Sequence, residues 1–193
     1  ENAAVSDLIG HLSLDAALSV IEFGCGTGRL AETILADHLP REAAYLGLDV
    51  SSTMVKLTEH RLARFGPRAK VEQTAGGTKL DQASGGCDRF LSVYVLDLLT
   101  EEDIRSLIVE AHRVLKPGGL LGLVSLTHGF TLASRVLEKV WVAIHRARPA
   151  LVGGCRPIAL KLFVEDGWRV LHDARIVRFG VPSEVLVAEK ASS

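Results

Sequence analysis

The segment Glu22-Phe23-Gly24-Cys25-Gly26-Thr27-Gly28 constrains this chain more than any other. It follows a short apolar run, Ser19 to Phe23, and precedes an amphipathic stretch, Arg29 to Asp37, with Leu30, Ile34 and Leu35 on one helical face. Glycines between a strand and a helix allow a tight turn and close backbone approach to a ligand, and the helix start offers unpaired N–H groups. The same alternation continues along the chain. Tyr45-Leu46-Gly47-Leu48 is a second strand closed by Asp49, and a helix follows from about Ser52 to Arg64, capped by Ser51 or Ser52 and ended by Gly66-Pro67. Lys70 to Thr74 is a third strand, and Arg89 to Val93 a fourth, apolar enough to be buried on both faces. Thr100-Glu101-Glu102-Asp103 opens a capped helix that runs to Leu115 and stops at Lys116-Pro117-Gly118-Gly119. Leu120 to Leu126 is a fifth strand; Trp168 to Val177 and Ser183 to Ala188 form an antiparallel pair across Gly180-Val181-Pro182.

Alternation of this kind requires crossover connections, so it predicts an α/β doubly wound parallel sheet with helices on both faces and one antiparallel strand near the end. A chain of 193 residues suits a single domain over 1–193. From Thr127 to Phe163 the connection is longer than one crossover helix needs, with a helix predicted over Thr131 to Arg146 and a glycine-bearing loop from Pro149 to Pro157. Long connections inside compact domains are usually functional, so residues 127–163 are expected to set substrate specificity.

The charge balance, 22 Lys plus Arg against 23 Asp plus Glu, argues against a broad electrostatic grip on nucleic acid. No apolar run approaches the roughly 18 residues of a membrane-spanning helix, so no integral membrane segment is expected. The start, Glu1-Asn2-Ala3-Ala4, shows no signal-peptide pattern and no initiator Met, as if the natural chain began further upstream. Cys25, Cys87 and Cys155 are far apart and odd in number, which fits a reducing, cytoplasmic setting better than a disulfide framework or a zinc site. The seven histidines are scattered, with no histidine–carboxylate spacing that predicts a metal site.

Two nucleotide ligands compete for the glycine loop. Asp49 closes the second strand about 20 residues on, where a carboxylate can accept both hydroxyls of a ribose. The dinucleotide fingerprint G-x-G-x-x-G would need a glycine where this chain has Arg29, which counts against a nicotinamide dehydrogenase. The loop also lacks the Gly-Lys-Ser/Thr ending of a P-loop, and no Gly-x-Ser-x-Gly elbow occurs.

Glu22 to Gly28, Tyr45-Leu46-Gly47-Leu48-Asp49-Val50-Ser51 and Arg113-Val114-Leu115-Lys116-Pro117-Gly118-Gly119 resemble the hallmark segments of class I S-adenosylmethionine-dependent methyltransferases, most of all the small members that modify small molecules. The match covers roughly Val20 to Leu126, and the combination is far more specific than any one element. The resemblance implies a Rossmann-like, seven-stranded sheet with its last strand antiparallel, binding S-adenosylmethionine at the carboxyl edge and releasing S-adenosylhomocysteine. It implies that Gly24, Gly26 and Gly28 let the backbone pass under the methionine part, with Cys25 as a small residue inside the loop. Glu22 would sit near the amino group or brace the loop; Asp49 would hold the ribose hydroxyls; Val50 and Met54 would flank the adenine; Ser92 would face the methionine end. The Lys116 to Gly119 turn would shape the start of the fifth strand. Relatives often carry an Asp after the third strand that bonds the adenine amino group. Here the stretch is Ala75-Gly76-Gly77-Thr78, so backbone with Thr78 serves the adenine, or Asp81 reaches in, or binding is weaker. Relatives also tend to have a longer leading segment that caps the active site, of which only Leu8 to Leu12 would remain.

Methyl transfer from a sulfonium is an in-line displacement that needs no metal, so alignment carries much of the acceleration and a base is needed only if the acceptor must lose a proton. Tyr94 and Asp97, beyond the fourth strand, and His128, beyond the fifth, are the candidates to meet the methyl group and a small organic acceptor. Each has a plainer alternative: packing for Tyr94, a loop start for Asp97, solvation for His128. His145, Arg146, Arg148 and Arg156 form a basic cluster read as a solvated surface in preference to an anion site. Cys25 has no neighbouring base that would make it a nucleophile. The alternative from another class is a non-catalytic S-adenosylmethionine-binding domain with a structural or regulatory role.

Overall fold

A computed structural model describes residues 3–127, 157–164, 166–178 and 181–191. Seven strands form one sheet: β1 Ser19–Phe23, β2 Ala44–Asp49, β3 Ala69–Gln73, β4 Cys87–Val93, β5 Leu115–Leu126, β6 Trp168–Arg178 and β7 Val181–Lys190. Their order is β3-β2-β1-β4-β5-β7-β6. The first five run parallel, and β7 is antiparallel to both β5 and β6, as the alternation and the resemblance predict. The helices are α1 Ala3–His11, α2 Arg29–Asp37, α3 Ser52–Leu62 and α4 Glu101–Val114.

The chain winds outward from β1 to β3, returns to β4 beside β1, and winds outward the other way. Strand order therefore reverses between β1 and β4, and the crevice at their carboxyl ends is where sheets of this type take ligands. β4 shows why its residues are almost all apolar: Phe90 enters the core under α4 with Leu107 and Leu121, while the next residue, Leu91, enters the opposite core with Leu8, Ile34 and Val187.

Local chemistry sets the helix ends. Ser51 caps α3, its Oγ accepting the N–H of Met54 at 3.4 Å, and Thr100 caps α4, accepting the N–H of Asp103 at 3.1 Å. Gly28 precedes α2 at φ +74°. The sequence places the fifth strand at Leu120, but it already begins at Leu115. The register jumps from Cys87 opposite Leu115 to Arg89 opposite Leu120, so Lys116-Pro117-Gly118-Gly119 is an irregularity inside β5, with Gly118 at φ +75°.

The leading segment also differs from expectation. Leu8 and Leu12 do not cap the active site; both are fully buried on the sheet over Gly122, where a Cβ would lie 2.8 Å from Leu12 Cδ2. That close approach requires the glycine, and it seats α1 against β5 and β7. Among the described residues, no helix is long and apolar enough to cross a membrane.

Candidate active site

The glycine loop and the ends of β2 and β4 enclose a cavity of about 580 Å³. Its position at the strand reversal and its size suit a nucleotide-sized ligand. Gly24 lies at φ +76°, and a Cβ there would run into Val95 Cγ2, so both conformation and space require glycine. The loop is pinned from β2 and from α3: Leu48 O accepts the N–H groups of Gly24 and Cys25 at 2.7 and 3.1 Å, and Thr58 Oγ1 donates to Gly26 O at 2.6 Å.

Asp49 is the rim carboxylate. Its Oδ2 accepts Gly26 N–H at 2.9 Å and its Oδ1 accepts Ser51 N–H at 2.9 Å, so the end of β2 is tied to both the loop and the cap of α3. Each oxygen keeps a further lone pair for a hydroxyl donor. Gly24, Gly26, Val50, Met54, Thr78 and Tyr94 join Asp49 in lining the cavity.

Five other expected residues lie behind that surface and do not line it. Glu22, 3% exposed, accepts the Tyr45 hydroxyl at 2.6 Å beneath the loop. Burial raises its pKa to about 7; the Tyr45 bond opposes this and the Asp49 charge adds to it. Glu22 is thus a brace of the loop floor. Cys25 is buried beside Gly47, its thiol pushed up to about 12 by burial and then by the Glu22 and Asp49 charges, which leaves it inert as a nucleophile. Gly28 faces Thr58, not the cavity. Ser92 is fully buried and donates to Phe23 O at 3.1 Å, joining the ends of β4 and β1 in place of facing the methionine end. Asp97 lies at the start of the connection after β4, as its plainer alternative has it; it is 1% exposed, accepts Ser125 Oγ at 3.1 Å and does not line the cavity.

Tyr94 is the expected catalytic residue that reaches the cavity. It follows β4 at φ +56°, a conformation costly for a side chain of this size, and its hydroxyl lies 3.0 Å from Ser183 Oγ on β7. His128, the predicted helix 131–146, the loop 149–157 and the basic cluster fall outside the described residues.

The cavity is also lined by Gly76, Gly77, Thr78 and Asp103. Asp81 does not line it. Asp103, legible in the sequence only as part of a helix start, supplies a carboxylate there from α4; its Oδ2 accepts Thr100 Oγ1 at 2.6 Å. Thr78 Oγ1 donates to Ser106 Oγ at 2.7 Å on the same helix. Three further groups carry no signal in the sequence pattern. Thr58, a fully buried hydroxyl within α3, supports the loop. Glu184, an acid flanking the apolar run of β7, is 1% exposed and accepts Thr127 Oγ1 at 3.0 Å and Leu160 N–H at 3.1 Å, joining residues on either side of 128–156. Far from the cavity, Asp7, His11 and His172 come together, although the scattered histidines predict no metal-ligating group.

A Rossmann-like sheet with an antiparallel β7 and an acid-rimmed cavity at its reversal point defines a methyltransferase-like fold. The protein family described as "Methyltransferase domain" matches residues 20–119, and the chain belongs to it. Family and fold imply S-adenosylmethionine as the cofactor. The chain is 29% identical over 130 residues to a demethylmenaquinone methyltransferase of Chlamydia caviae, covering 65% of this chain and 54% of that protein. It is 30% identical over 127 residues to ribosomal RNA large subunit methyltransferase G of Aeromonas salmonicida, covering 63% of this chain and 33% of that protein. This chain thus spans between a third and just over half of the length of these two relatives. An S-adenosylmethionine-dependent methyltransferase structure from Methanosarcina mazei superposes with a TM-score of 0.73 at 16% identity, covering 96% of this chain and 98% of that one, which shows the shared fold.

Proposed function

We propose that this chain is an S-adenosylmethionine-dependent methyltransferase that methylates a small organic acceptor. The observation that carries the reading is Asp49: a rim carboxylate held by Gly26 and Ser51 N–H groups, with acceptor capacity left over, beside a loop that meets the cavity through Gly24 and Gly26. The residues fit the cofactor in kind. Asp49 would hold the ribose hydroxyls, Gly24 and Gly26 the methionine end, and Val50 and Met54 the adenine faces. Thr78 belongs to the stretch after the third strand where relatives carry an Asp, and Asp103, a carboxylate residue lining the same cavity, is the one we assign to the adenine amino group.

When bound, S-adenosylmethionine supplies a methyl carbon on a sulfonium; the carbon–sulfur bond breaks as the acceptor–carbon bond forms, and the sulfonium charge is neutralised to a thioether. This chain's own work is alignment. Tyr94, fixed by its backbone and by Ser183, lines the cavity just beyond β4 and would orient the acceptor. Phe23, Leu48, Val93, Val95, Leu98 and Leu99 give the cavity a largely apolar wall. Asp97, tied to Ser125 outside that wall, serves as a positioning group for the loop after β4.

The balanced charge and apolar wall favour a small acceptor over RNA. We assign residues 127–163 to acceptor specificity within a single domain spanning 1–193. We assign a cytoplasmic setting on the odd number and wide spacing of Cys25, Cys87 and Cys155. The test is acceptor-dependent release of S-adenosylhomocysteine with small phenols, quinols, amines and thiols in one arm and ribosomal RNA in the other. Turnover in the first arm alone supports the proposal. Turnover in the RNA arm alone overturns the acceptor class, and cofactor binding without turnover in either favours a non-catalytic binding domain.

A further inference from the structure

A β-bulge in β6 builds a cluster that strand periodicity hides. Val170 pairs with Ala188 and His172 with Val187, so Leu171 is an extra residue with no partner on β7. Ala188 belongs to the core under α4 and Val187 to the core under α1. The bulge therefore turns His172 onto the α1 face, where an unbroken strand would have placed Leu171.

There it meets two residues of α1. Asp7 and His11 are four apart, the spacing that puts two side chains on one helical face. The His11 and His172 rings stack with centroids 3.6 Å apart and planes 11° from parallel, and His172 Nε2 lies 2.7 Å from Asp7 Oδ2. One ligand atom from each of the three residues falls within 4.8 Å of the others. Tetrahedral zinc with bonds of about 2.0–2.2 Å separates its ligand atoms by about 3.4 Å and lies in the plane of each imidazole, so binding requires the two rings to turn out of their parallel stack and His172 Nε2 to part from Asp7 Oδ2. His11 Nδ1 stands 2.8 Å from the carbonyl oxygen of Asp7. The same Nδ1 lies 3.8 Å from Asp7 Oδ1, so it is the ring nitrogen turned toward the carboxylate, and an ion bound there would replace its contact with the carbonyl. His11 is the most open of the three, with 46% of its side chain exposed against 26% for Asp7 and 20% for His172, which gives an ion a path in from solvent.

We propose that Asp7, His11 and His172 form a binding site for a divalent transition cation of the zinc class, separate from the cofactor cavity. Two imidazoles and one carboxylate select borderline metals over magnesium or calcium. Three protein ligands leave the remaining positions to water. The site joins α1 to β6, residues 165 apart in sequence, so the bound ion staples the start of the chain to the far edge of the sheet.

The test uses the untagged full chain buffered at about pH 7.5, where free imidazole is mostly neutral. Calorimetric titration with Zn²⁺ and visible absorption with Co²⁺ are run on wild type, His172→Ala and His11→Ala, with circular dichroism as the check on folding. Expected are one saturable Zn²⁺ site, at least ten-fold weaker in both variants, and slower hydrogen exchange across Ala3–His11 when Zn²⁺ is added to wild type only. Should His172→Ala fail to fold, His11→Ala carries the comparison, His11 being the most exposed of the three. Absence of saturable binding, or binding unchanged in the folded variants, would overturn the site.

Discussion

Glu22 and Asp49 lie at the carboxyl ends of neighbouring strands, yet they live in different regions: one on the floor under the glycine loop, the other on its rim. Glu22 is sealed from water with the Tyr45 hydroxyl, and burial raises its pKa to about 7. Asp49 accepts two backbone N–H groups and still borders the cavity. A buried carboxylate becomes a brace or a binding group according to what donates to it and whether space remains beside it. Floor and rim are also mechanically distinct. Beneath the loop each small residue is enforced by a neighbour; above it there is room for a ligand.

Four substitutions can break or sharpen that contrast. The largest effect is expected at Gly24→Ala, which meets Val95 and holds φ +76°. We expect a loss of about 3 kcal/mol, read as a fall in melting temperature of about 6–12 °C. Glu22→Gln should come next and act through pH. The folded carboxyl has its pKa raised from 4.5 to about 7, so the folded state holds the proton more tightly. Wild type should therefore lose about 3 kcal/mol of stability from this group as pH rises from about 4.5 to 7, a slope that Glu22→Gln removes in denaturant titrations across that window. If the slope persisted, the floor would not be the site of that titration. Thr58→Val deletes the donor to Gly26 O and should cost about 1–2 kcal/mol, seen as a lower denaturant midpoint with unchanged slope. Gly26→Ala should be the mildest. Nothing lies within 4 Å of its added Cβ, so only the φ of +53° opposes it, at about 1 kcal/mol in thermal melts. A Gly26→Ala loss as large as that at Gly24 would show that the Val95 contact does not set the two loop glycines apart.

Much of the fold is legible in the amino-acid sequence. Ser19–Phe23 and Arg29–Asp37 have the bounds that the sequence predicts, because a glycine loop separates a strand period from a helix period without ambiguity. Asp49 is legible for the same reason, as the polar end of an apolar strand. What the sequence hides depends on which way a side chain turns. Glu22, Ser92 and Asp97 have the right chemistry at the right sheet edge, but their partners Tyr45, Phe23 and Ser125 lie 23, 69 and 28 residues away and draw them behind the cavity wall. Asp103 reaches the cavity through the placement of α4, which no local pattern encodes. His172 is hidden by the bulge at Leu171: the alternation through Val170, His172 and Ala174 reads as one continuous face, although the strand changes sides in its midst.

The central claim is that Asp49 makes the cavity a binding site for S-adenosylmethionine. Calorimetric titration of wild type and Asp49→Ala with S-adenosylmethionine and S-adenosylhomocysteine tests it directly, with circular dichroism confirming that both proteins are folded. We predict saturable one-site binding of both compounds to wild type, at least ten-fold weaker in Asp49→Ala, since two charge-assisted hydrogen bonds to the ribose are lost. Folded wild type that binds neither compound, or equal binding by the two proteins, would contradict the account.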